Sequence, residues 1–120
     1  MTTPSFALHI PTADLDPDPL DPSQIVSGTP EVTGRVLSES ADGRHLRGLW
    51  QITPGVVTDV EADEMFVVLS GRATIEVEGG PTLEVGPGDC AVLREGDRTT
   101  WTVHERSLTS SAATVPAFRE

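Results

Sequence analysis

Apolar and polar side chains alternate along most of this chain, with the two-residue period of β-strands. Leu46, Gly48, Trp50 and Ile52 share one face of a strand that Thr53-Pro54-Gly55 breaks. Val56–Val60 alternates weakly and leads into Asp63-Glu64-Met65-Phe66-Val67-Val68-Leu69-Ser70-Gly71, a strand that opens on carboxylates and stops at a glycine turn. Its pleat puts Glu64, Phe66 and Val68 on one face and Met65, Val67 and Leu69 on the other. Ala73, Ile75 and Val77 then point one way while Thr74, Glu76 and Glu78 point the other, as in a half-buried antiparallel strand. Leu83 and Val85 return the chain, Cys90 to Leu93 forms the next strand, and Thr99, Trp101 and Val103 share a face in the one after. Further upstream, Val32 through Ser38 reads as a strand, and Phe6, Leu8 and Ile10 suggest a short edge strand over 5–10.

Turn chemistry falls between these runs. Asp42-Gly43 is a hairpin signal. Gly86-Pro87-Gly88-Asp89 fits a type II turn, because proline presets the second position and glycine accepts the positive φ of the third. Glu78-Gly79-Gly80-Pro81 and Glu95-Gly96-Asp97 are two more turns. Residues 11–23 hold four prolines and four aspartates, which forbids a sheet interior and predicts extended, polyproline-like chain. That segment is expected to be a wrapped or mobile arm, with an acidic partner-binding tail as the alternative. The Ser-, Thr- and Ala-rich stretch from Ser107 is expected to add one strand through Leu108 and then to fray. No amphipathic helix of three turns appears. Short strands at regular spacing predict an all-β sandwich or barrel, and closure would hide the Val-rich edges. The expected organisation is an N-terminal arm over 1–30, a barrel over 31–110 and a tail over 111–120.

Composition narrows the chemistry. The chain has 120 residues, room for one domain, and a formal net charge of −11. With no basic stripe it is expected to bind no nucleic acid, and anionic membrane surfaces would repel it. The sequence contains no Lys, which excludes Schiff-base catalysis and a phosphate-loop lysine. A single cysteine makes no internal disulfide, the apolar runs are shorter than the ~20 residues of a membrane helix, and the start lacks a positive n-region. Cytoplasm is the expected compartment.

The ordered phrases resemble the cupin superfamily, whose jelly-roll barrels carry two motifs joined by a hairpin. Gly55 matches the opening of the first motif, and Glu64 with six residues to Gly71 matches its end. In the second, Gly88 and Gly96 match, Arg94 stands where proline is usual, and Thr99 takes the histidine position. Gly48-Leu49-Trp50, Thr53-Pro54-Gly55, Asp63-Glu64, Val68-Leu69-Ser70-Gly71, Gly88-Asp89, Gly96-Asp97-Arg98 and Trp101-Thr102-Val103 resemble the ureidoglycine aminohydrolase-like branch of small single-domain cupins. The resemblance implies a single cupin jelly-roll β-barrel, commonly dimeric, and in that branch a Mn²⁺ held by His, Glu and Gln that cleaves a C–N bond of a small ureido compound.

Cupin metal sites usually need three histidines and a glutamate. By register the paired first-motif ligands fall near Thr58 and Val60 and the last at Thr99, so only Glu64 is retained. His9, His45 and His104 lie at turns or outward positions. The expectation is therefore no metal and no cofactor, with a divalent cation on Glu64 plus Asp63 or Glu61 as the alternative. Glu64, on the barrel-facing pleat, is either an acid/base and ligand anchor or a structural carboxylate paired with Arg47, Arg72 or Arg98. Trp101 and Trp50 either stack on a ligand or fill the core. Cys90 reads as a buried, inert thiol. Three functions stay open: a small-molecule-binding cupin whose ligand meets Thr58, Glu64, Phe66, Thr99, Trp101 and Trp50 in the barrel mouth, with Glu64 as the catalytic group if there is a reaction; a ureidoglycine aminohydrolase-like enzyme; or a non-catalytic interaction module. The outward Met65, Val67 and Leu69 suit a homodimer interface.

Overall fold

The alternating pleats build two antiparallel sheets that face each other across one core. The computed structural model describes residues 4–115. Eleven strands lie among them: β1 (Asp16–Pro17), β2 (Ile25–Ser27), β3 (Val32–Glu39), β4 (His45–Ile52), β5 (Gly55–Val60), β6 (Asp63–Ser70), β7 (Ala73–Val77), β8 (Thr82–Val85), β9 (Cys90–Leu93), β10 (Arg98–Val103) and β11 (Ser107–Thr114). One sheet runs β1-β3-β4-β11-β6-β9 and the other β2-β5-β10-β7-β8. From β4 onward the chain passes back and forth between the two, as in a jelly roll.

Side chains from the inner pleats make the core. Ile52, Phe66, Val68, Ala91 and Leu93 come from the first sheet, and Val57, Ala73, Ile75, Trp101 and Val103 from the second. Phe66, Ile52, Ile75 and Leu93 are the largest fully buried side chains. The turn after β6 needs its glycine: Gly71 has φ of 84°, and a Cβ there would come within 2.1 Å of the Arg106 carbonyl oxygen. The 86–89 turn forms as its sequence predicts, with Gly88 at φ 89° and the Asp89 N–H donating to Gly86 O at 3.0 Å. The Asp42-Gly43 turn joins β3 to β4.

Three expectations change. Residues 5–10 form no strand; Phe6 is exposed, and Ile10–Thr12 is a 3-10 turn with Pro11 in its first turn. An alternating pattern makes a strand only where an edge is free to pair with it, and no strand pairs with this segment. Of the two forms expected for the arm, wrapped or mobile, the structure shows the wrapped one, with β1 paired to β3 and β2 to β5 at the sheet edges. The segment expected to fray is β11, which pairs with β4 on one side and β6 on the other out to Thr114. Its Ser, Thr and Ala side chains give no hydrophobic signal, yet small and β-branched residues fit a central strand crowded from both sides. Residues 116–120 of the expected tail lie outside the described residues. Cys90, finally, is exposed, because Ala91 and Leu93 take the inward pleat of β9. No helix among the described residues is long and apolar enough to cross a membrane.

Candidate functional site

A cavity of about 280 Å³ lies between the sheets where β5 ends and β6 begins. Val57, Asp59 and Trp101 line it from one sheet, and Trp50, Glu64, Thr109 and Ser111 from the other. The arm closes one side with Asp18, Pro19, Leu20 and Gln24. Gln24 is held there by its own hydrogen bonds: its side-chain amide donates to Thr58 O at 3.0 Å, and its Oε1 accepts the Asp21 N–H at 3.1 Å.

Glu61 is fixed by the crossover it sits in. Glu61 and Ala62 alone connect β5 to β6. The Glu61 N–H donates to Asp97 O at 2.8 Å, and its carbonyl accepts the Gly96 N–H at 2.9 Å, so the crossover is pinned to the turn before β10. Its side chain turns inward and is only 6% exposed. There Oε2 accepts the Thr99 hydroxyl at 2.6 Å and the Trp101 indole N–H at 3.1 Å, both from the inward pleat of β10. Burial pushes this carboxyl above its ordinary range; the two hydrogen bonds oppose the shift, and the adjacent Asp59 adds to it.

Glu64 projects from the inward pleat of β6, two residues before buried Phe66. It accepts no hydrogen bond and makes no ion pair among the described residues. Burial pushes its carboxyl up to about 7, with the charges of Glu61 and Asp59 contributing. None of the three arginines weighed as partners is one. Arg72 pairs with Glu105 at 2.6 Å, while Arg47 and Arg98 are exposed and without an ion pair among the described residues. Asp59 stands at the rim, more open than the other two; burial raises it as well, opposed by hydrogen bonds involving Val60 and Glu61.

Of the residues expected to meet a ligand, Glu64, Trp50, Trp101 and Thr58 line the cavity. Phe66 and Thr99 do not. Phe66 is 1% exposed and backs Trp101, with ring centroids 5.6 Å apart, and Thr99 is buried behind Glu61. The register of the first motif also changes by one residue. The sequence puts paired ligand positions near Thr58 and Val60, but the inward pleat of β5 carries Val57, which is buried, and Asp59, while Val60 is 57% exposed. A one-residue slip exchanges the two faces of a strand. Asp59, Gln24 and Asp18 are thus site residues that sequence reasoning missed; Glu61, weighed there only as a cation ligand beside Glu64, lines the cavity as well. The signal for Asp59 was its even spacing from Val57; for the arm there was none.

The resemblance to the hydrolase branch implies a Mn²⁺ site, and the donors present do not fit one. No imidazole faces the cavity: His9, His45 and His104 are exposed, and the last two are engaged with Thr114 and Thr74. Among the described residues no three His, Cys, Asp or Glu side chains are grouped so as to hold a metal ion. Asp63, weighed as a cation ligand, instead accepts the Glu95 N–H at 3.0 Å.

Two facing antiparallel sheets, crossed repeatedly by the chain and enclosing a cavity at one end, are the architecture of the jelly-roll proteins, cupins among them. The chain belongs to the EutQ-like cupin domain family, whose sequence model matches residues 39–108. It is similar in structure to a protein of unknown function of the DUF861 family from Pseudomonas syringae pv. tomato (27% identity, TM-score 0.77), with 86% of this chain and 45% of that one covered. This chain therefore spans less than half of that protein's length. It is also similar to the Clostridium difficile EutQ protein (14% identity, TM-score 0.68, 91% and 86% covered). The cupin domain of Schizosaccharomyces pombe Cnp3 is a third relative in fold (9% identity, TM-score 0.66, 92% and 74% covered). The last two likenesses concern the fold alone. No curated protein matches the sequence.

Proposed function

We propose that this domain binds a small organic molecule in the cavity beside Glu64 and does so without a metal. One observation carries the reading: Glu64 faces an open, indole-walled cavity with no hydrogen-bond donor or cation among the described residues to satisfy it. A half-buried carboxyl without a protein partner is left for solvent or a ligand to satisfy. With its proton poised near neutrality, Glu64 can act as an acid or base at the ligand or anchor its amine or hydroxyl. Trp50, Trp101 and Thr58 would touch the ligand, while Phe66 and Thr99 support from behind. A screen of small metabolites by thermal shift, repeated on Glu64→Gln, tests this. Hits on the parent that the variant loses are expected; a stoichiometric transition metal in the purified protein would sink the metal-free part.

The phrases shared with the ureidoglycine aminohydrolase-like branch favour a second reading, C–N cleavage of a small ureido compound. Ammonia release from ureidoglycine that disappears in Glu64→Gln would establish it. A homodimer through the outer face of the β6 sheet, and a cytoplasmic setting in keeping with the free Cys90, complete the proposal.

A further inference from the structure

Resting on that reading, we propose that the ligand is a small primary ammonium compound, its –NH₃⁺ head set among Asp59, Glu61 and Glu64 and its apolar body against Trp50 and Trp101. Sign comes first. The residues lining the cavity include four carboxylates, Asp18, Asp59, Glu61 and Glu64, and neither Arg nor His; the sequence has no Lys. An anionic ligand would find carboxyl groups at one end of the cavity, apolar side chains at the other and no counter-charge to offset its desolvation.

Hydrogen bonding points the same way. Glu61 is 6% exposed, and one of its oxygens takes both protein donors. Apart from the hydrogen bond it shares with the Asp59 carboxyl, Glu61 takes no further N–H or hydroxyl among the described residues. The group beside it is another carboxyl, Asp59. Glu64 has no donor at all. The acid end of the cavity is thus rich in acceptors and short of donors. An ammonium group brings three donors, no acceptor and a positive charge, whereas a hydroxyl brings one donor and no charge. Charge-assisted hydrogen bonds to carboxylates are about twice as strong as neutral ones. The remaining walls suit an apolar body: Leu20, Val57 and the two indoles, whose rings meet edge-on with centroids 5.7 Å apart. Indoles also tolerate a nearby cation through their ring quadrupole. At about 280 Å³ the cavity is near the lower limit for ligand pockets, which restricts the body to a few carbons.

The test compares butylammonium, butanol and butyrate, which match in length and differ in the head group. Both tryptophans of the chain line the cavity, so intrinsic fluorescence reports on the site directly, and calorimetry supplies affinities. Butylammonium should bind roughly tenfold or more tighter than butanol, and butyrate should not bind. Glu64→Gln, isosteric and at a side chain with no protein partner to lose, should weaken butylammonium binding about tenfold or more and abolish its preference over butanol. Glu61→Gln, checked for folding by circular dichroism, should do the same. Butanol or butyrate binding as tightly as butylammonium overturns the charge inference and leaves the small-molecule reading standing. Silence from all three probes, with neutral or anionic hits in the wider screen, also overturns only the charge inference; silence in both experiments overturns the reading as well.

Discussion

The indole N–H of Trp101 and the hydroxyl of Thr99 converge on a single oxygen of Glu61, at 3.1 and 2.6 Å. Two inward residues of β10 thereby hold the carboxylate of the β5–β6 crossover, and the geometry of the cavity depends on that grip. Removing the Thr99 hydroxyl leaves this buried oxygen with the longer Trp101 bond alone. Thr99→Val keeps the side-chain shape and is expected to cost about 1–3 kcal/mol, read from the midpoint of urea unfolding. A variant as stable as the parent would mean that this hydrogen bond contributes nothing in solution.

Stability should fall as pH rises through the acid-to-neutral range. Folded, Glu64 keeps its proton up to about 7; unfolded, it releases it near the ordinary glutamate value of 4.5. Between those limits the folded state binds more protons, so the unfolding free energy declines with rising pH and levels off above about 7. Asp59 and Glu61 are raised too and add slope in the same direction, and the cavity lining holds no Arg or His to oppose them. The Glu64 share is at most about 3 kcal/mol. Glu64→Gln should flatten the profile and unfold at higher urea than the parent at pH 8; a parent profile that rises toward neutral pH would contradict the placement of this carboxyl.

Pleat parity explains what was legible from the sequence. Glu64 and Trp101 lie in strands whose alternation is clean, so their inward faces could be named without coordinates. Val56, Val57 and Val60 are all apolar, so the β5 run allows either register, and the structure takes the one that turns Val57 and Asp59 inward. Glu61 belongs to no strand; its position depends on backbone bonds to a turn more than thirty residues later in the chain. β11 was illegible for another reason: its value lies in small size between two neighbours, which a hydrophobic pattern does not record. The arm's contribution rests on pairings with β3 and β5 that no local signal encodes.

Gln24 ties the arm to the cavity, and its loss should loosen that wall. Its side chain makes two hydrogen bonds, to Thr58 and Asp21, that alanine cannot replace. Gln24→Ala is expected to cost about 1 kcal/mol and to increase acrylamide quenching of Trp50 and Trp101, since Pro19 and Leu20 line the same cavity. Unchanged quenching would show that the arm stays seated without this residue.

The proposed dimer rests on the face of the six-stranded sheet turned away from the cavity. Met65, Val67, Leu69 and Val92 are 51%, 37%, 38% and 53% exposed there. Registers place Met65 beside Val92 and Val67 beside Cys90, so these residues form one apolar strip across β6 and β9. A second copy of the chain would remove that strip from water, and a charge in its centre would oppose this. Sedimentation equilibrium should find a dimer for the parent and a monomer for Met65→Glu, with folding and the fluorescence response to ligand retained, because Met65 projects from the opposite pleat to Glu64. A parent that sediments as a monomer over the concentrations at which it binds ligand would remove the dimer from the account and leave the cavity's role untouched.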